Sequence, residues 1–288
     1  MKNFNCLLMP NEKKDQGLML TRRLCRFLIS AGASAYVPEE VFPAMAQERA
    51  LLYQPEERSK IDLIVPLGGD GTIIRAIFRF QELSEVPILG INLGDVGFLA
   101  EVEPEQAEKA LSMVLEGHFA TEERILLEGW TESGEAEPYH FTAMNDVWIN
   151  RHMMASMIEM GVYINGHLID TFMGDGMIIC TPTGSTAYNL SAGGPIVAPS
   201  ARNLVITPLC VHSLNVRSIV TSENDVIMIC IGEGKNDRQY PSLISIDGKK
   251  NLWLRSGDRI VLRRSSRTVS IIKVTEHTFY QTLKKKLF

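Results

Sequence analysis

The sequence predicts an α/β region followed by a β-rich region, and three observations support this fold class. Up to about residue 117, short apolar runs alternate with helical patterns, as in a parallel sheet covered by helices. From about Thr121 onward, short strand candidates follow one another with turn residues between them. The length of 288 residues exceeds the usual size of a single domain, so we expect two lobes.

The first elements are a strand, a helix and a second strand. Asn3–Met9 predicts the first strand, and Asn11–Gly17 predicts a polar loop. The helix that follows should end at Gly32, which stands where a C-terminal cap belongs. Its apolar face consists of Leu20, Leu24, Phe27 and Leu28. Ala33–Val37 predicts the second strand.

The next elements continue the alternation after an irregular stretch. Pro38–Lys60 is charged and contains two prolines, so we expect a surface excursion with one helix at about Met45–Leu52. Leu63–Leu67 and Pro87–Leu93 are apolar runs typical of buried parallel strands. Glu105–Leu115 has the apolar spacing of a helix.

The second half consists mainly of short strands. The candidates are Ile125–Leu127, Phe141–Ile149, Ile158–Ile164, Leu168–Phe172, Met177–Cys180, Val226–Ile231 and Arg259–Leu262. Asn165-Gly166 lies between two of these runs and predicts a two-residue hairpin. Glu276–Phe288 predicts a terminal helix whose last turns carry lysines, which suits the helix dipole.

These patterns together predict three parts of the chain. We expect an N-terminal Rossmann-like α/β domain over residues 1–120 and a C-terminal β-sandwich-like domain over 121–270. A terminal helix in 271–288 should pack back on the N-terminal domain. Ligands of parallel sheets bind beyond the carboxyl ends of the strands, and both the loop 68–71 and Asn92 fall at that edge.

Composition excludes several classes of protein. The net charge of −5 gives no basic surface for nucleic acid or for a membrane. Five scattered cysteines without a Cys-x-x-Cys pair favour reduced thiols and a cytoplasmic location. No apolar run approaches the ~18 residues of a membrane span, and the six histidines lack the spacing of a metal site.

The most informative stretch is the loop between Leu63–Leu67 and the following helical pattern. Its three glycines, Gly68, Gly69 and Gly71, let the backbone approach an anion, and the helix N-terminus favours negative charge. Asp70 would repel phosphate unless it holds a metal ion or accepts a proton from an attacking hydroxyl group. The alternative is a plain Asp-Gly turn that closes a strand.

Two familiar phosphate loops do not fit this stretch. A Walker loop ends in Gly-Lys-Ser or Gly-Lys-Thr, which is absent from the sequence. A dinucleotide fingerprint needs a third glycine where Ile74 stands. The Gly-Gly-Asp-Gly-Thr stretch instead resembles the signature shared by NAD kinases, diacylglycerol and sphingosine kinases, and 6-phosphofructokinases, all of which phosphorylate an alcohol.

Further stretches resemble the NAD kinases in particular, and they occur in the order found in that family. Val96 replaces the usual leucine in the first of them, and Asp146 stands where the family has glutamate or aspartate. The stretches are Asn92-Leu-Gly-Asp-Val-Gly-Phe-Leu99, Met144-Asn145-Asp146-Val147, Asp175-Gly176, Cys180-Thr-Pro-Thr-Gly-Ser-Thr-Ala-Tyr188, Ser191-Ala-Gly-Gly-Pro195 and Phe279-Tyr-Gln-Thr-Leu-Lys-Lys-Lys-Leu287. The chain is identified as resembling a bacterial-type NAD kinase.

This resemblance implies a set of site residues. Asn145 and Asp146 would bind the acceptor nucleoside, since an amide both donates and accepts and a carboxylate accepts from a ribose diol. The alternative for this pair is a plain turn at the end of a strand. Asp175 would lie on the nicotinamide side, and Asp247 near the phosphates. The implied NAD-binding residues are Phe98, Asn145, Asp146, Asp175, Thr183, Thr186, Ala187, Tyr188, Ser191 and Asp247.

The resemblance also implies a reaction. Asp70 would act as the general base for the 2′-hydroxyl group of the adenosine ribose, with Mg²⁺ bound to ATP. The implied ATP-binding residues are Gly68, Gly69, Gly71, Thr72 and Arg75, although an exposed arginine on the helix is an alternative for Arg75. NAD and ATP would be the substrates, and a homodimer or homotetramer is expected.

Rival functions remain open from the sequence alone. A diacylglycerol-type lipid kinase shares the loop, but the polar run Thr181–Thr186 argues against an apolar acceptor groove. A non-catalytic NAD-binding sensor is a second rival, and the intact Asp70 speaks against it. Phosphofructokinase is disfavoured because no basic cluster is present to hold a sugar phosphate.

Overall fold

The computed structural model describes residues 4–94, 97–134, 137–152, 157–213, 215–232 and 242–287. By its internal contacts the chain forms two compact units. The first unit comprises Met1–Glu123 and Thr268–Phe288, and the second comprises Arg124–Arg267. Within the described residues, no helix has both the length and the apolar character needed to cross a membrane.

The first unit contains a five-stranded parallel sheet with the order β3-β2-β1-β4-β5. Its strands are β1 (Asn5–Pro10), β2 (Ser34–Val37), β3 (Leu51–Leu52), β4 (Leu63–Gly68) and β5 (Ile91–Asn92). The helices along the same stretch are α1 (Met19–Ser30), α2 (Phe42–Met45), α3 (Asp70–Arg79) and α4 (Ala107–Leu115). The alternation of strands and helices predicted for this part of the chain is confirmed.

The core of this unit follows from the apolar patterns. Every residue of β4 is buried, as expected for a strand covered on both faces. Helix α1 buries Leu24 and Leu28 in the same cluster as the β1 residue Leu8. After α1, Gly32 takes a left-handed φ of 79° and its N–H bonds to the carbonyl of Ile29, so the chain leaves the helix there.

Two expectations for this unit need correction. The helix expected at about Met45–Leu52 is wrong: α2 ends at Met45, a 3₁₀ turn covers Ala46–Glu48, and β3 follows. The turn ends there because Arg49 takes a left-handed φ of 57°. Of the strand expected over Pro87–Leu93, Ile91–Asn92 pairs as β5, and Ile88 forms two isolated bridges, to Ile64 and to Ile271.

The second unit is built from two six-stranded sheets with the orders β10-β9-β14-β17-β6-β7 and β13-β12-β11-β8-β15-β16. Apolar residues of both sheets form one buried cluster, as in a β-sandwich. The strands are β6 (Ala120–Glu132), β7 (His140–Ala143), β8 (Asp146–Arg151), β9 (Ile158–Ile164), β10 (His167–Gly174), β11 (Gly176–Cys180), β12 (Asn203–Leu209), β13 (Ile219–Ser222), β14 (Ile227–Ile231), β15 (Ser242–Ile246), β16 (Lys250–Leu254) and β17 (Arg259–Lys273). One short helix, α5 (Tyr188–Ser191), lies between β11 and β12.

Several details of this unit were predicted and others were not. The hairpin at Asn165-Gly166 is confirmed, with left-handed φ values of 51° and 81°. The single strand predicted over Phe141–Ile149 is wrong, because the chain turns at 144–145 and passes from one sheet to the other between β7 and β8. Strands β12, β13, β15 and β16 were not predicted.

The terminal helix α6 (Phe279–Leu287) belongs to the first unit. It begins at a reciprocal cap in which the Thr278 N–H donates to Gln281 Oε1 at 2.8 Å and the Gln281 N–H donates to Thr278 Oγ1 at 3.3 Å. The helix predicted over Glu276–Phe288 is thus confirmed from Phe279 onward. Phe288, like Asn3 at the start of the first predicted strand, lies outside the described residues.

Candidate active site

The glycine loop of the first unit joins β4 to α3, as the sequence predicted. Gly69 precedes the helix in extended backbone, and Asp70 is the first residue of α3. The carboxylate of Asp70 accepts hydrogen bonds from three consecutive backbone N–H groups, which we call the 98–100 segment. The donors are Phe98 (2.8 Å to Oδ2), Leu99 (3.1 Å to Oδ1) and Ala100 (3.2 Å to Oδ1).

This arrangement fixes the orientation of Asp70. An ionised carboxylate offers about four lone-pair directions, and the 98–100 segment fills two on Oδ1 and one on Oδ2. Counting the described residues, Oδ2 therefore keeps one direction for a further donor. Gly97 is packed so closely that a Cβ atom on it would lie 1.9 Å from Asp70 Oδ1, so a larger residue there would displace the carboxylate. Asp95 and Val96, in the same motif, lie outside the described residues.

The other predicted phosphate-binding residues differ in their exposure. Gly71 is exposed, whereas Thr72 is buried and its Oγ1 accepts a hydrogen bond from Asn11 Nδ2 at 3.3 Å. A Cβ atom on Gly68 would lie 2.2 Å from Thr72 Oγ1, so glycine is required where the strand meets the helix. Arg75 is exposed one turn into α3, and its charge helps to lower the pKa of Glu40, after the larger effect of the Arg79 hydrogen bond.

The 98–100 segment also contacts the terminal helix α6. The ring centroids of Phe98 and Phe279 are 5.7 Å apart, and Lys286 Nζ lies 4.7 Å above the Phe98 ring. These contacts position Phe98, whose backbone N–H donates a hydrogen bond to Asp70 Oδ2. In this way α6 supports the carboxylate without touching it.

In the second unit, the turn between β7 and β8 is held by Asp247. The Asp247 carboxylate accepts hydrogen bonds from three consecutive backbone N–H groups of what we call the 144–146 corner. The donors are Met144 (2.9 Å to Oδ2), Asn145 (2.8 Å to Oδ1) and Asp146 (3.1 Å to Oδ1). Asp247 itself has a left-handed φ of 48° in the loop that follows β15.

A second predicted motif packs on the same corner. Thr181 donates through Oγ1 to the carbonyl of Met144 at 2.6 Å and through its N–H to the carbonyl of Asn145 at 2.9 Å. A Cβ atom on Gly184 would lie 2.0 Å from the Asn145 carbonyl oxygen, so glycine is needed for this approach. The Asn-Asp motif and the Thr-Pro-Thr-Gly-Ser-Thr motif are therefore brought together.

Asp146 has the most unusual electrostatic environment of this corner. Its side chain is 4% exposed and has two acidic neighbours, Asp247 and the thiol of Cys180. Burial, together with the charge of Asp247, raises the pKa of Asp146 from 3.8 to about 7. Burial also raises the pKa of Asp247, against the opposing effect of its three backbone hydrogen bonds. Asp146 therefore changes its charge near neutral pH.

The remaining predicted residues of this motif divide into buried and accessible positions. Thr183 is buried and its Oγ1 lies 3.4 Å from Arg124 NH1, whereas Thr186 and Ala187 are half-buried. Tyr188 and Ser191 are exposed on α5, and the Tyr188 ring lies 5.4 Å from the Trp148 ring. An accessible tyrosine face can stack on a nucleotide base or on nicotinamide.

Asp175 is not brought to the 144–146 corner. It precedes β11, whereas Thr181 follows β11, so the length of the strand, roughly 15 Å or more, separates the two ends. Asp175 Oδ1 instead forms an ion pair with Arg151 Nε at 2.8 Å. It therefore lies at the opposite end of β11 from the 144–146 corner and the turn that begins at Thr181.

Some residues near these motifs escaped the sequence analysis. Arg124 is fully buried beside Thr183, and its only sequence signal is a charge directly before the apolar run of β6. Asn189 is buried and bonds the carbonyls of Ser185 and Pro195, so it holds the turn around α5. Lys14 lies near the glycine loop, although nothing in its surrounding sequence indicates this position.

No cluster of three or more His, Cys, Asp or Glu side chains able to hold a metal ion occurs among the residues that the structure describes.

Solved structures with the same fold include two kinases. Yeast NADH kinase, crystallised with NADH, superposes with a TM-score of 0.89 at 23% identity, covering 100% of this chain and 88% of that one. An NAD kinase from Archaeoglobus fulgidus in complex with ATP gives a TM-score of 0.75 at 25% identity, covering 98% of both chains. These similarities support the predicted fold class, an α/β domain followed by a β-rich domain.

Sequence relatives and family models agree with the structures. An NAD kinase of Lachnoclostridium phytofermentans is 36% identical over 288 residues, which is 99% of each chain. One from Caldanaerobacter subterraneus is 37% identical over 280 residues, or 97% of each chain. The ATP-NAD kinase N-terminal domain matches residues 7–119 and the C-terminal domain matches residues 144–274. The chain therefore belongs to the ATP-NAD kinase family.

Proposed function

We propose that this chain transfers the γ-phosphoryl group of ATP to the 2′-hydroxyl group of the adenosine ribose of NAD, giving NADP and ADP. The observation that supports this proposal most strongly is the geometry of Asp70. Its carboxylate stands at the N-terminus of α3, is oriented by the 98–100 segment and keeps one lone-pair direction on Oδ2. A base that must receive one proton in a defined direction needs this kind of preorganisation.

In the proposed reaction, the 2′-oxygen forms a bond to the γ-phosphorus as the bond from that phosphorus to the β,γ-bridging oxygen breaks. The proton of the 2′-hydroxyl group passes to Asp70, and ADP leaves with the electron pair of the broken bond. Gly69 and Gly71 provide backbone N–H groups near the helix N-terminus, where negative phosphate charge is stabilised. Gly68 acts through its close packing with Thr72.

A divalent metal ion completes the donor in this proposal. Mg²⁺ is commonly bound by substrate phosphates together with one or two carboxylates. Because the remaining direction of Asp70 Oδ2 is assigned to the proton, the triphosphate of ATP would hold the Mg²⁺ here. When bound, Mg²⁺ neutralises charge on the phosphates during transfer. Arg75 is exposed close by on α3 and can supply a further positive charge.

The 144–146 corner is the proposed site for the NAD acceptor. Asn145 offers both a donor and an acceptor, and ionised Asp146 accepts from a ribose diol. Tyr188, Ser191, Thr186 and Ala187 are accessible on the adjoining turn. Asp247 and buried Thr183 act by holding the corner and the turn. Phe98 and Asp175 remain in the proposed set through the family resemblance.

The proposed function is tested by an assay with purified protein, ATP and Mg²⁺. NAD, diacylglycerol and fructose 6-phosphate are offered in parallel, and NADP is detected through an NADP-specific dehydrogenase. We expect NADP from NAD only, and none from the Asp70→Asn variant. Product from diacylglycerol but not from NAD would favour the lipid kinase, and thermal protection by NAD without NADP formation would favour the binding sensor.

We also propose that the chain forms a homodimer or homotetramer and acts in the cytoplasm. The edge strand β10 exposes Leu168 (54%) and Ile169 (47%), an apolar pair that a second copy could cover. Light scattering on the purified protein should give a mass of two or four chains. A monomer at micromolar concentration would contradict the oligomer.

A further inference from the structure

Lys14 lies in the loop between β1 and α1, at a distinctive place in the parallel sheet. After β1 the chain passes through α1 to β2, towards one edge of the sheet. After β4 it passes through α3 to β5, towards the opposite edge. β1 and β4 are neighbours, so the loops at their carboxyl ends diverge at the point where the strand order reverses. Ligands of open α/β sheets bind in the crevice at this point.

The Lys14 ammonium group is directed towards the backbone of the glycine loop. A Cβ atom on Gly69 would lie 3.3 Å from Lys14 Nζ, and one on Gly94 would lie 2.9 Å from it. Because both neighbours are glycine, the ammonium group can approach the backbone there without a clash. The same lysine lines a cavity of about 480 Å³, together with Asn92 and residues 93–94 and 103–105.

The backbone that carries Lys14 is fixed on both sides. The Asn11 N–H donates to the carbonyl of Leu67 at 2.8 Å, and the Lys14 N–H donates to the carbonyl of Asn11 at 2.8 Å. Next to it, buried Asp15 accepts hydrogen bonds from the N–H groups of Leu20 and Thr21 at the start of α1. The side chain therefore extends from a rigid loop, which lowers the entropy cost of ordering it on a ligand.

Lys14 forms no ion pair within the part of the chain that the structure describes. Glu103 and Glu105 line the same cavity. Their negative charges would repel a phosphate group unless a nearby cation offset them. Lys14 supplies that cation beside Gly69. A lysine ammonium group is a compact positive charge that binds phosphate oxygens.

We propose that Lys14 binds the triphosphate of the ATP donor beside the glycine loop. This proposal depends on the proposed kinase function. During transfer, negative charge develops on the leaving phosphate oxygens, so a fixed cation at this place stabilises the transition state as well as bound ATP. Lys13 is the natural control, since it is also exposed in the same loop but places no atom within 4 Å of a Cβ built on Gly69 or Gly94.

The test compares Lys14→Ala, Lys14→Arg and Lys13→Ala with the parent protein. Lys14→Ala should lower kcat/KM for ATP about 10- to 100-fold, the usual effect of losing a hydrogen bond to a charged group. The KM for NAD should stay within about twofold, Lys14→Arg should recover most of the activity because it keeps the charge, and Lys13→Ala should behave like the parent. Thermal melting should be nearly unchanged because the side chain is exposed.

A binding measurement separates this proposal from the proposed function. Calorimetry with inorganic tripolyphosphate should show weaker binding to Lys14→Ala than to Lys13→Ala, whether or not the protein makes NADP. If the parent makes NADP and the two alanine variants match in both kcat/KM for ATP and tripolyphosphate binding, the role of Lys14 is overturned. If the parent makes no NADP but tripolyphosphate binding still depends on Lys14, the kinase function fails and the phosphate site stands.

Discussion

Two aspartates that precede a glycine, one in each unit, use the same pattern of hydrogen bonds. Asp70 and Asp247 each accept three consecutive backbone N–H groups, two on Oδ1 and one on Oδ2. Each follows a strand, and each fixes a distant segment that contains a predicted site residue, Phe98 in one case and the 144–146 corner in the other. In the sequence, the two stretches share only an Asp-Gly pair.

The two aspartates differ in their surroundings. Asp70 is half-buried and begins a ten-residue helix, at the positive end of the helix dipole. Asp247 lies in left-handed backbone outside any helix, and its acidic neighbour is Asp146, whose pKa it helps to raise. We call this pattern, a carboxylate that accepts three consecutive backbone N–H groups, a clamp. We infer that the clamp of Asp70 serves the chemical step, whereas the clamp of Asp247 holds the 144–146 corner in place. The following substitutions test this difference.

The largest effect is expected for Asp70→Asn. The amide cannot take the proton of the 2′-hydroxyl group, so kcat should fall about 10²- to 10⁴-fold, the usual contribution of a general base. NAD binding, measured by calorimetry, should persist. Near-normal turnover by this variant would remove Asp70 from the role of base.

The second effect is a loss of stability in Asp247→Asn. The new NH₂ group would face backbone N–H donors of the 144–146 corner, and an unsatisfied donor costs about 1–3 kcal/mol. We expect lower thermal stability and a higher KM for NAD, with kcat reduced much less than in Asp70→Asn. Asp170→Asn is the control, because exposed Asp170 accepts a hydrogen bond from the N–H of its neighbour Thr171 and from no other residue that the structure describes. Equal melting temperatures for the two variants would contradict the clamp.

The third effect concerns pH and Asp146. Between pH 3.8 and about 7, folded Asp146 keeps a proton that the unfolded chain has released, so this group lowers stability as pH rises through that range. The rise of the Asp146 pKa from 3.8 to about 7 corresponds to at most roughly 4 kcal/mol in the free energy of unfolding. Asp146→Asn should flatten the dependence of the unfolding free energy on pH, measured by urea denaturation between pH 4 and 8. An unchanged slope would show that Asp146 does not titrate as described.

The same carboxyl group should make NAD binding depend on pH. A ribose diol donates to ionised Asp146, so the KM for NAD of the parent should fall as pH rises from 6 to 8. Asp146→Asn should bind NAD roughly tenfold more weakly at pH 8, and the deficit should shrink at pH 6, where the parent side chain is largely neutral. A deficit that is the same at both pH values would assign Asp146 a role independent of its charge.

The smallest effect is expected for Phe279→Ala in α6. An aromatic pair contributes about 0.5–1.5 kcal/mol, so loosening Phe98 should lower kcat/KM for NAD about 2- to 10-fold. Tyr280→Ala is the control: Tyr280 is 67% exposed, and among the described residues its ring pairs with Phe279 and not with Phe98. Equal kinetics for both variants would show that α6 does not support the 98–100 segment.

The sequence predicted local features well because they depend on local chemistry. The glycine loop before α3, the Asn165-Gly166 hairpin and the helix cap at Gly32 each rest on a few neighbouring residues. The sequence motifs also placed Asn145, Asp146 and residues 181–186 in one site, and the structure brings them together. The division into residues 1–120, 121–270 and 271–288 stays a prediction, as do the roles of the individual site residues.

The remaining features depend on contacts between distant parts of the chain. Asp70 bonds residues 28 to 30 positions away, and Asp247 bonds residues more than 100 positions away, so no local pattern reveals either clamp. The turn within the apolar run Phe141–Ile149 arises because the chain changes sheets there. Strand β12 contains Pro208, which argues against a strand interior when seen in sequence alone.

The most direct test of this account is the kcat of Asp70→Asn and Asp247→Asn measured side by side, at saturating NAD, ATP and Mg²⁺. Saturation removes differences in substrate binding, so the ratio reports the chemical role of each carboxylate. We predict that Asp70→Asn is at least about 100-fold slower than Asp247→Asn. Equal kcat values for the two variants would contradict the assignment of chemistry to one clamp and architecture to the other.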